Sequence, residues 1–234
     1  MSSWTPPPPE GPKRLADLRV SYDAGNLDEA SLAPTPLAQF RSWFDDAVAV
    51  GLPEPNAMVL ATSGVDAQPT ARTVLLKDVD ARGFVFFTNL GSRKSRDLRS
   101  NPAASCVFPW FAMHRQVTVV GRVDEVPRDE AAEYFASRPH GSRLGAWASR
   151  QSTVIDGREA IEARYAELQE EYPEGSTVPL PDFWGGWVVR PLAVEFWQGR
   201  ESRLHDRLRF RVQVVDAPAP LDEPAAWQVE RLSP

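Results

Sequence analysis

The sequence predicts a mainly β protein with peripheral helices, an α+β antiparallel barrel. Three observations carry that expectation. Segments at 57–62, 70–77, 84–88, 103–108, 116–126, 187–198, 208–215 and 227–232 alternate in polarity or are rich in β-branched and aromatic residues. Short turns such as Gly64-Val65-Asp66-Ala67 and Asp80-Ala81-Arg82-Gly83 separate the early segments, and strands joined so closely pair antiparallel. No GxGxxG motif and no long strand–helix alternation occur, which argues against a doubly wound dinucleotide fold.

Taken in order, residues 1–14 read as a disordered proline-rich tail. Pro6 to Pro9 and Pro12 favour extended, solvated chain there. Residues 15–234 read as one domain. Thr35-Pro36 is a cap-then-proline helix start, followed by Leu37, Phe40, Phe44, Ala47 and Val48 at helical spacing. A second helix is expected from about Arg128 to Ser137, stopped by Pro139. A third starts at Asp156 and Glu159, a capping-box-like pair, with Ile161, Tyr165, Leu168 and Tyr172 on one apolar face. The three prolines of 217–224 mark a loop. No internal repeat occurs.

Composition narrows the function. The formal charge is -6, with 26 basic against 32 acidic residues, which disfavours a general nucleic-acid coat and leaves room for a local basic pocket. Cys106 is the one cysteine, so no internal disulfide forms, and no CxxC accompanies the histidines at 114, 140 and 205 to make a usual zinc site. No apolar run is long enough for a membrane helix, and the first residues lack the apolar region of a signal peptide, so a cytoplasmic protein is expected.

Cationic clusters mark the candidate chemistry. In Arg203-Leu204-His205-Asp206-Arg207, an extended chain would put Arg203, His205 and Arg207 on one face. That is either a solvated strand edge or an anion site with a titratable imidazole. Thr88-Asn89-Leu90-Gly91-Ser92-Arg93-Lys94 reads as strand, turn and helix start. Free N–H groups beside Arg93 and Lys94 there suit a phosphate, although cations in a first turn oppose the helix dipole. Arg72 and Lys77 bracket the apolar Thr73-Val74-Leu75-Leu76, and their odd spacing puts them on opposite faces of a regular strand. Tyr134, Arg138 and Ser142, spaced by four across a helix end, suit a second phosphate or simply a helix dipole. Trp184, Trp187, Trp197, Phe183 and Phe196 are core candidates, any of which can wall a flat ligand, and Gln116, Gln151 and Ser152 can bond a ring edge. Cys106 reads as a small buried hydrophobe.

Read as strings, these clusters resemble the pyridoxine (pyridoxamine) 5′-phosphate oxidase family. The matching stretches are RTVLLK (72–77), FTNLGSRK (87–94), FPW (108–110), RQV (115–117), SRP (137–139), GAW (145–147) and QS (151–152). They continue with FWGG (183–186), EFWQG (195–199), RLHDR (203–207) and the closing ERL (230–232). The resemblance runs from about Arg19 to the C-terminus, and RLHDR with EFWQG is its most specific part.

What the resemblance implies is an FMN-binding split barrel, working as a homodimer with FMN at the subunit interface. It implies oxidation of pyridoxamine or pyridoxine 5′-phosphate to pyridoxal 5′-phosphate, with O2 as acceptor and H2O2 as product. By the family pattern, Arg72, Thr73, Val74, Leu75, Leu76, Lys77, Phe87, Thr88, Arg93 and Lys94 would hold FMN, completed by Gln116, Gln151, Ser152, Trp197 and Arg207. Lys77, Tyr134, Arg138 and Ser142 would hold the substrate phosphate, while Arg203, Leu204 and His205 would face the pyridine ring, Arg203 and His205 as the catalytic pair. Arg19, Val20, Ser21 and Tyr22 would form a segment closing over substrate. Phe87 departs from the tyrosine common in the family. Two other readings stand beside this one: another split-barrel flavin or deazaflavin reductase, and a non-catalytic pyridoxal phosphate carrier. Neither nucleic acid nor membrane is an expected partner.

Overall fold

The structure, a computed structural model, describes residue 22 and residues 25–234. The calls on residues 1–14 and on Arg19, Val20 and Ser21 lie outside the described residues. Nine strands form one antiparallel sheet: β1 (Ala57–Ser63), β2 (Pro69–Leu75), β3 (Asp78–Val79), β4 (Phe84–Asn89), β5 (Ala103–Trp110), β6 (Arg115–Glu125), β7 (Trp184–Gln198), β8 (Asp206–Val212) and β9 (Trp227–Arg231). Among the described residues five α-helices surround it: α1 (Pro36–Ala49), α2 (Arg93–Ser100), α3 (Arg128–Ser137), α4 (His140–Ala148) and α5 (Arg158–Glu171).

The strand order is β2-β1-β5-β6-β7-β4-β3, with β8 branching from β7 and carrying β9. Strand β7 organises this curl. Along one side it pairs with β6; on the other, its first half pairs with β4 and its second half with β8. The changeover falls near Pro191, which has no N–H for a ladder, opposite a register shift at Val120/Gly121. Phe40 of α1 closes the barrel, with ring contacts to Phe44, Phe84, Phe108 and Trp110. That helix begins as its sequence dictates: the Thr35 hydroxyl accepts from the Ala38 N–H, and Pro36 occupies the first turn.

Two expectations need correction, and one helix was not expected. The Asp156–Glu159 capping box does not form: Gly157 caps α5 without a side-chain bond, and of the expected apolar face only Leu168 is buried within the helix. Helix α3 ends at Ser137 before Pro139 as expected, but Pro139 then caps a further helix, α4, that the sequence reading did not give. The segment 203–205 is not strand. A 3-10 turn spans Glu201–Arg203, and β8 starts only at Asp206.

At the bulge, a Cβ on Gly121 would lie 2.2 Å from the Arg190 carbonyl oxygen. Gly121→Ala therefore forces two paired backbones apart. We expect a loss of about 1–3 kcal/mol in chemical denaturation; an unchanged midpoint would show that the bulge tolerates a side chain.

Candidate active site

A cleft of about 1130 Å³ opens between β2, the end of β4, the start of α2, and the α3–α4 corner. One small ligand fills ~300–1,000 Å³, so this volume suits more than one. Fourteen of the sequence-derived site residues line it: Arg72, Thr73, Val74, Leu75, Lys77, Phe87, Thr88, Arg93, Lys94, Tyr134, Arg138, Ser142, Gln151 and Ser152. Leu76 does not; it is 6% exposed and belongs to the core. Arg72 and Lys77 share the cleft despite their odd spacing, because β2 ends at Leu75 and the chain turns before Lys77.

Among the described residues, the cations here have no carboxylate salt bridge. Lys94 is buried, and its ammonium donates to Gln151 Oε1 at 2.7 Å, Thr88 Oγ1 at 3.1 Å and Ser92 Oγ at 3.3 Å, all neutral. Burial, with Arg72 nearby, pushes its pKa down to about 8. Ser92 caps α2 by accepting from the Ser95 N–H, which explains how two cations are held in a first turn. Arg138 presents a buried Nη1 without a hydrogen-bond partner, and its guanidinium lies 4.9 Å from the Trp184 ring centroid. Burial lowers its pKa too. A donor left unpaired in this way is costly unless a ligand supplies the acceptor. Phe87 stacks on Tyr134 with centroids 4.2 Å apart, making an aromatic floor beside it.

The remaining candidates gather elsewhere. Gln116 and Trp197 are register partners on β6 and β7, and with Tyr22, Phe111, His114 and Arg115 they line a separate cavity of about 350 Å³. His205 packs 4.6 Å from the Trp197 centroid and 5.8 Å from that of Tyr22. Its Nδ1 accepts from the Arg200 N–H, so the neutral ring carries its proton on Nε2. Burial, then Arg203, lowers its pKa. Leu204 is 71% exposed. Arg207 is spent within the chain: Nε and Nη2 bond Glu195, Nη1 bonds the Ser233 carbonyl, and Glu195 raises its pKa. The three-cation strand face therefore does not form.

Backbone strain marks the same places. His114, Ser152, Ser202 and Arg203 adopt positive φ, a conformation uncommon outside glycine and concentrated at functional sites. Sequence reasoning offered Trp184 as a possible wall for a flat ligand, and it lines the cleft; it did not single out His114 or Gly199. A Cβ on Gly199 would meet Tyr22 and His114 at about 3 Å, so glycine there admits both rings. Cys106 is fully buried, and burial pushes its thiol up to about 12, so it is inert.

The fold and cleft thus define a split antiparallel barrel built to take anionic, flat ligands. Comparison with known proteins narrows this further. Residues 44–172 match the pyridoxamine 5′-phosphate oxidase family, and residues 184–234 match the pyridoxine 5′-phosphate oxidase C-terminal dimerisation region. The pyridoxine/pyridoxamine 5′-phosphate oxidase of Burkholderia multivorans is 55% identical over 94% of this chain and 99% of its own. That of Cupriavidus necator is 52% identical over the same shares. Among solved structures, PhzG from Burkholderia lata 383, in complex with tetrahydrophenazine-1-carboxylic acid, superposes with TM-score 0.80 at 27% identity, covering 92% of this chain and all of that one. A pyridoxamine 5′-phosphate oxidase-related, FMN binding protein from Nostoc punctiforme shares the fold, with TM-score 0.64 at 17% identity over 87% of this chain and all of that one. The chain belongs to the pyridoxamine 5′-phosphate oxidase family, and it is an enzyme. Among the described residues no helix is long and apolar enough to cross a membrane.

The depressed pKa of Lys94 has a consequence for stability. Between pH 8 and the usual lysine range, the unfolded chain holds a proton that the folded chain has released, so stability rises with pH. Because burial of Cys106 acts in the opposite sense above about pH 9, the difference in melting temperature between the ligand-free protein and Lys94→Met is expected to climb through this window. A difference that stays flat would assign the effect to another group.

Proposed function

We propose that this enzyme oxidises pyridoxamine 5′-phosphate and pyridoxine 5′-phosphate to pyridoxal 5′-phosphate, using FMN and O2. The observation that carries the reading is the pair of cation clusters in one cleft, Arg72/Arg93/Lys94 and Lys77/Arg138, each without a carboxylate salt bridge among the described residues. One phosphate does not account for both; a flavin phosphate and a substrate phosphate do. The donor set suits FMN, because Lys94, Thr88, Gln151 and Ser152 offer hydrogen bonds beside the helix start. Lys77, Tyr134, Arg138 and Ser142 then hold the substrate phosphate.

Held by those residues, FMN would supply a two-electron acceptor for the hydride leaving substrate C4′, with O2 as the final acceptor giving H2O2. The alcohol loses its hydroxyl proton as well and becomes the aldehyde. The amine becomes an imine, which water hydrolyses to the aldehyde and ammonia. The chain's own groups orient and stabilise. Arg203 stays charged, so it positions the substrate by electrostatics and does not take up a proton. Neutral His205 offers Nε2–H as a donor. Arg207, tied to Glu195, supports the β7–β8 ladder and is left out of the cofactor site.

Within one chain the two groups lie apart. The thirteen positions from Trp184 in the cleft to Trp197 in the other cavity span ~40 Å along β7. A homodimer that apposes the cleft of one copy to the Tyr22–Trp197–His205 group of the other completes the site, in keeping with the matched dimerisation region. The enzyme works in the cytoplasm.

The test is product formation by FMN-loaded protein in air. Pyridoxal phosphate and peroxide rising together are expected; flavin binding without product would leave the fold and remove the reaction. Arg138→Ala is expected to raise KM for both substrates by roughly 10- to 100-fold, whereas Arg203→Ala lowers kcat far more than it weakens FMN. Equal loss of turnover and FMN affinity in Arg203→Ala would contradict its assignment.

A further inference from the structure

We propose that Asp97 is a positioning residue for cofactor binding, fixing the Arg72 guanidinium in the cleft through the hydroxyls of Thr62 and Thr70 without touching it. The inference rests on the reading above, in which Arg72 helps hold FMN.

The geometry is a two-branched relay. Thr62 and Thr70 are register partners on β1 and β2, with hydroxyls 3.4 Å apart. Asp97, on α2, receives both on one oxygen: Thr62 Oγ1 donates to Oδ2 at 2.8 Å and Thr70 Oγ1 at 3.2 Å. An ionised carboxylate only accepts, so each hydroxyl turns its single proton toward Asp97 and its lone pairs toward the other side. Arg72 occupies that side. Its Nη1 donates to Thr62 Oγ1 at 2.6 Å and to the Leu60 carbonyl at 3.3 Å, while its Nη2 donates to Thr70 Oγ1.

The relay does what a direct ion pair would not. A carboxylate laid against Arg72 would occupy the guanidinium edge and bring negative charge into the cleft. Here Arg72 and Thr70 line the cleft, while Asp97 stands behind the threonines, outside the lining. Burial and Arg93 both act against charge on Arg72, and Asp97 opposes them from its distance. Orientation is thereby gained while the cation remains available to an anion.

Charge alone and positioning predict opposite signs, which makes the inference testable. Removing a negative charge near an anion site should tighten anion binding if only Coulomb attraction matters. Loss of orientation should weaken it. The experiment is FMN titration of the apoenzyme, followed by flavin fluorescence, for the wild type, Asp97→Ala, the double variant Thr62→Val/Thr70→Val, and Thr62→Ser/Thr70→Ser. We expect the alanine and valine variants to bind FMN about tenfold more weakly or worse, and the serine variant, which keeps both hydroxyls, to bind as the wild type does. Asp97→Ala binding FMN as tightly as wild type, or more tightly, would overturn the proposal, as would failure of serine to restore what valine loses. If Asp97→Ala does not fold, as read by its melting curve, the valine and serine pair decides. A wild-type apoenzyme that does not take up FMN would instead overturn the functional reading, a different result from any of these.

Discussion

Strand β7 is the constraint on which the rest of the structure depends. It is the strand that pairs with three others, and it changes partner from β4 to β8 halfway along. Its first half sets the wall of the cationic cleft through Trp184; its second half carries Trp197 to the aromatic group around Tyr22 and His205. A strand buried along most of its length cannot bend those two ends together. The same hydrogen-bond ladder that stabilises the barrel therefore keeps the cleft and the aromatic group apart within one chain. Under the proposed function, assembly with a second copy is then part of the chemistry as well as of stability.

Charge supplies the second theme. Many cations elsewhere on the molecule are matched: Arg82 with Asp80 and Glu130, Arg209 and Arg211 with Glu230, Arg231 with Glu29 and Asp206. The cleft breaks that habit. Lys94 is buried among neutral oxygens, and Arg138 keeps a nitrogen unpaired. Such groups cost stability in the ligand-free protein, and the proposed phosphates would offset that cost. Asp206 shows the contrast, since it anchors the Leu27 N–H, Arg200 and Arg231 together next to His205 and is fully engaged.

Much of this was legible in the sequence, and the parts that were not share a cause. Strand positions followed from alternation, α1 from its cap and spacing, and the end of α3 from Pro139, because those signals are local. The Thr88–Lys94 cradle was visible as strand, glycine turn and capping serine. Arg203, His205 and Arg207 were expected on one strand face, and that was not correct: a 3-10 turn spans Glu201–Arg203, and Ser202 and Arg203 take positive φ. Arg207 read as a free cation since its partner, Glu195, lies on the neighbouring strand. Asp97 left no trace at all: Thr62 and Thr70 reach it only once β1, β2 and α2 have packed.

The central claim is that each site is made by two copies of the chain. Its most direct test mixes two impaired variants, Arg138→Ala in the cleft and Arg203→Ala in the other group, unfolds and refolds them together, and measures pyridoxal phosphate formation at substrate well below the KM of Arg138→Ala. A shared site predicts that mixed dimers regain one intact site each, so that equal mixing restores about a quarter of wild-type activity. If the mixture is no more active than the sum of its separate variants, the two groups do not meet across the interface, and the account is wrong.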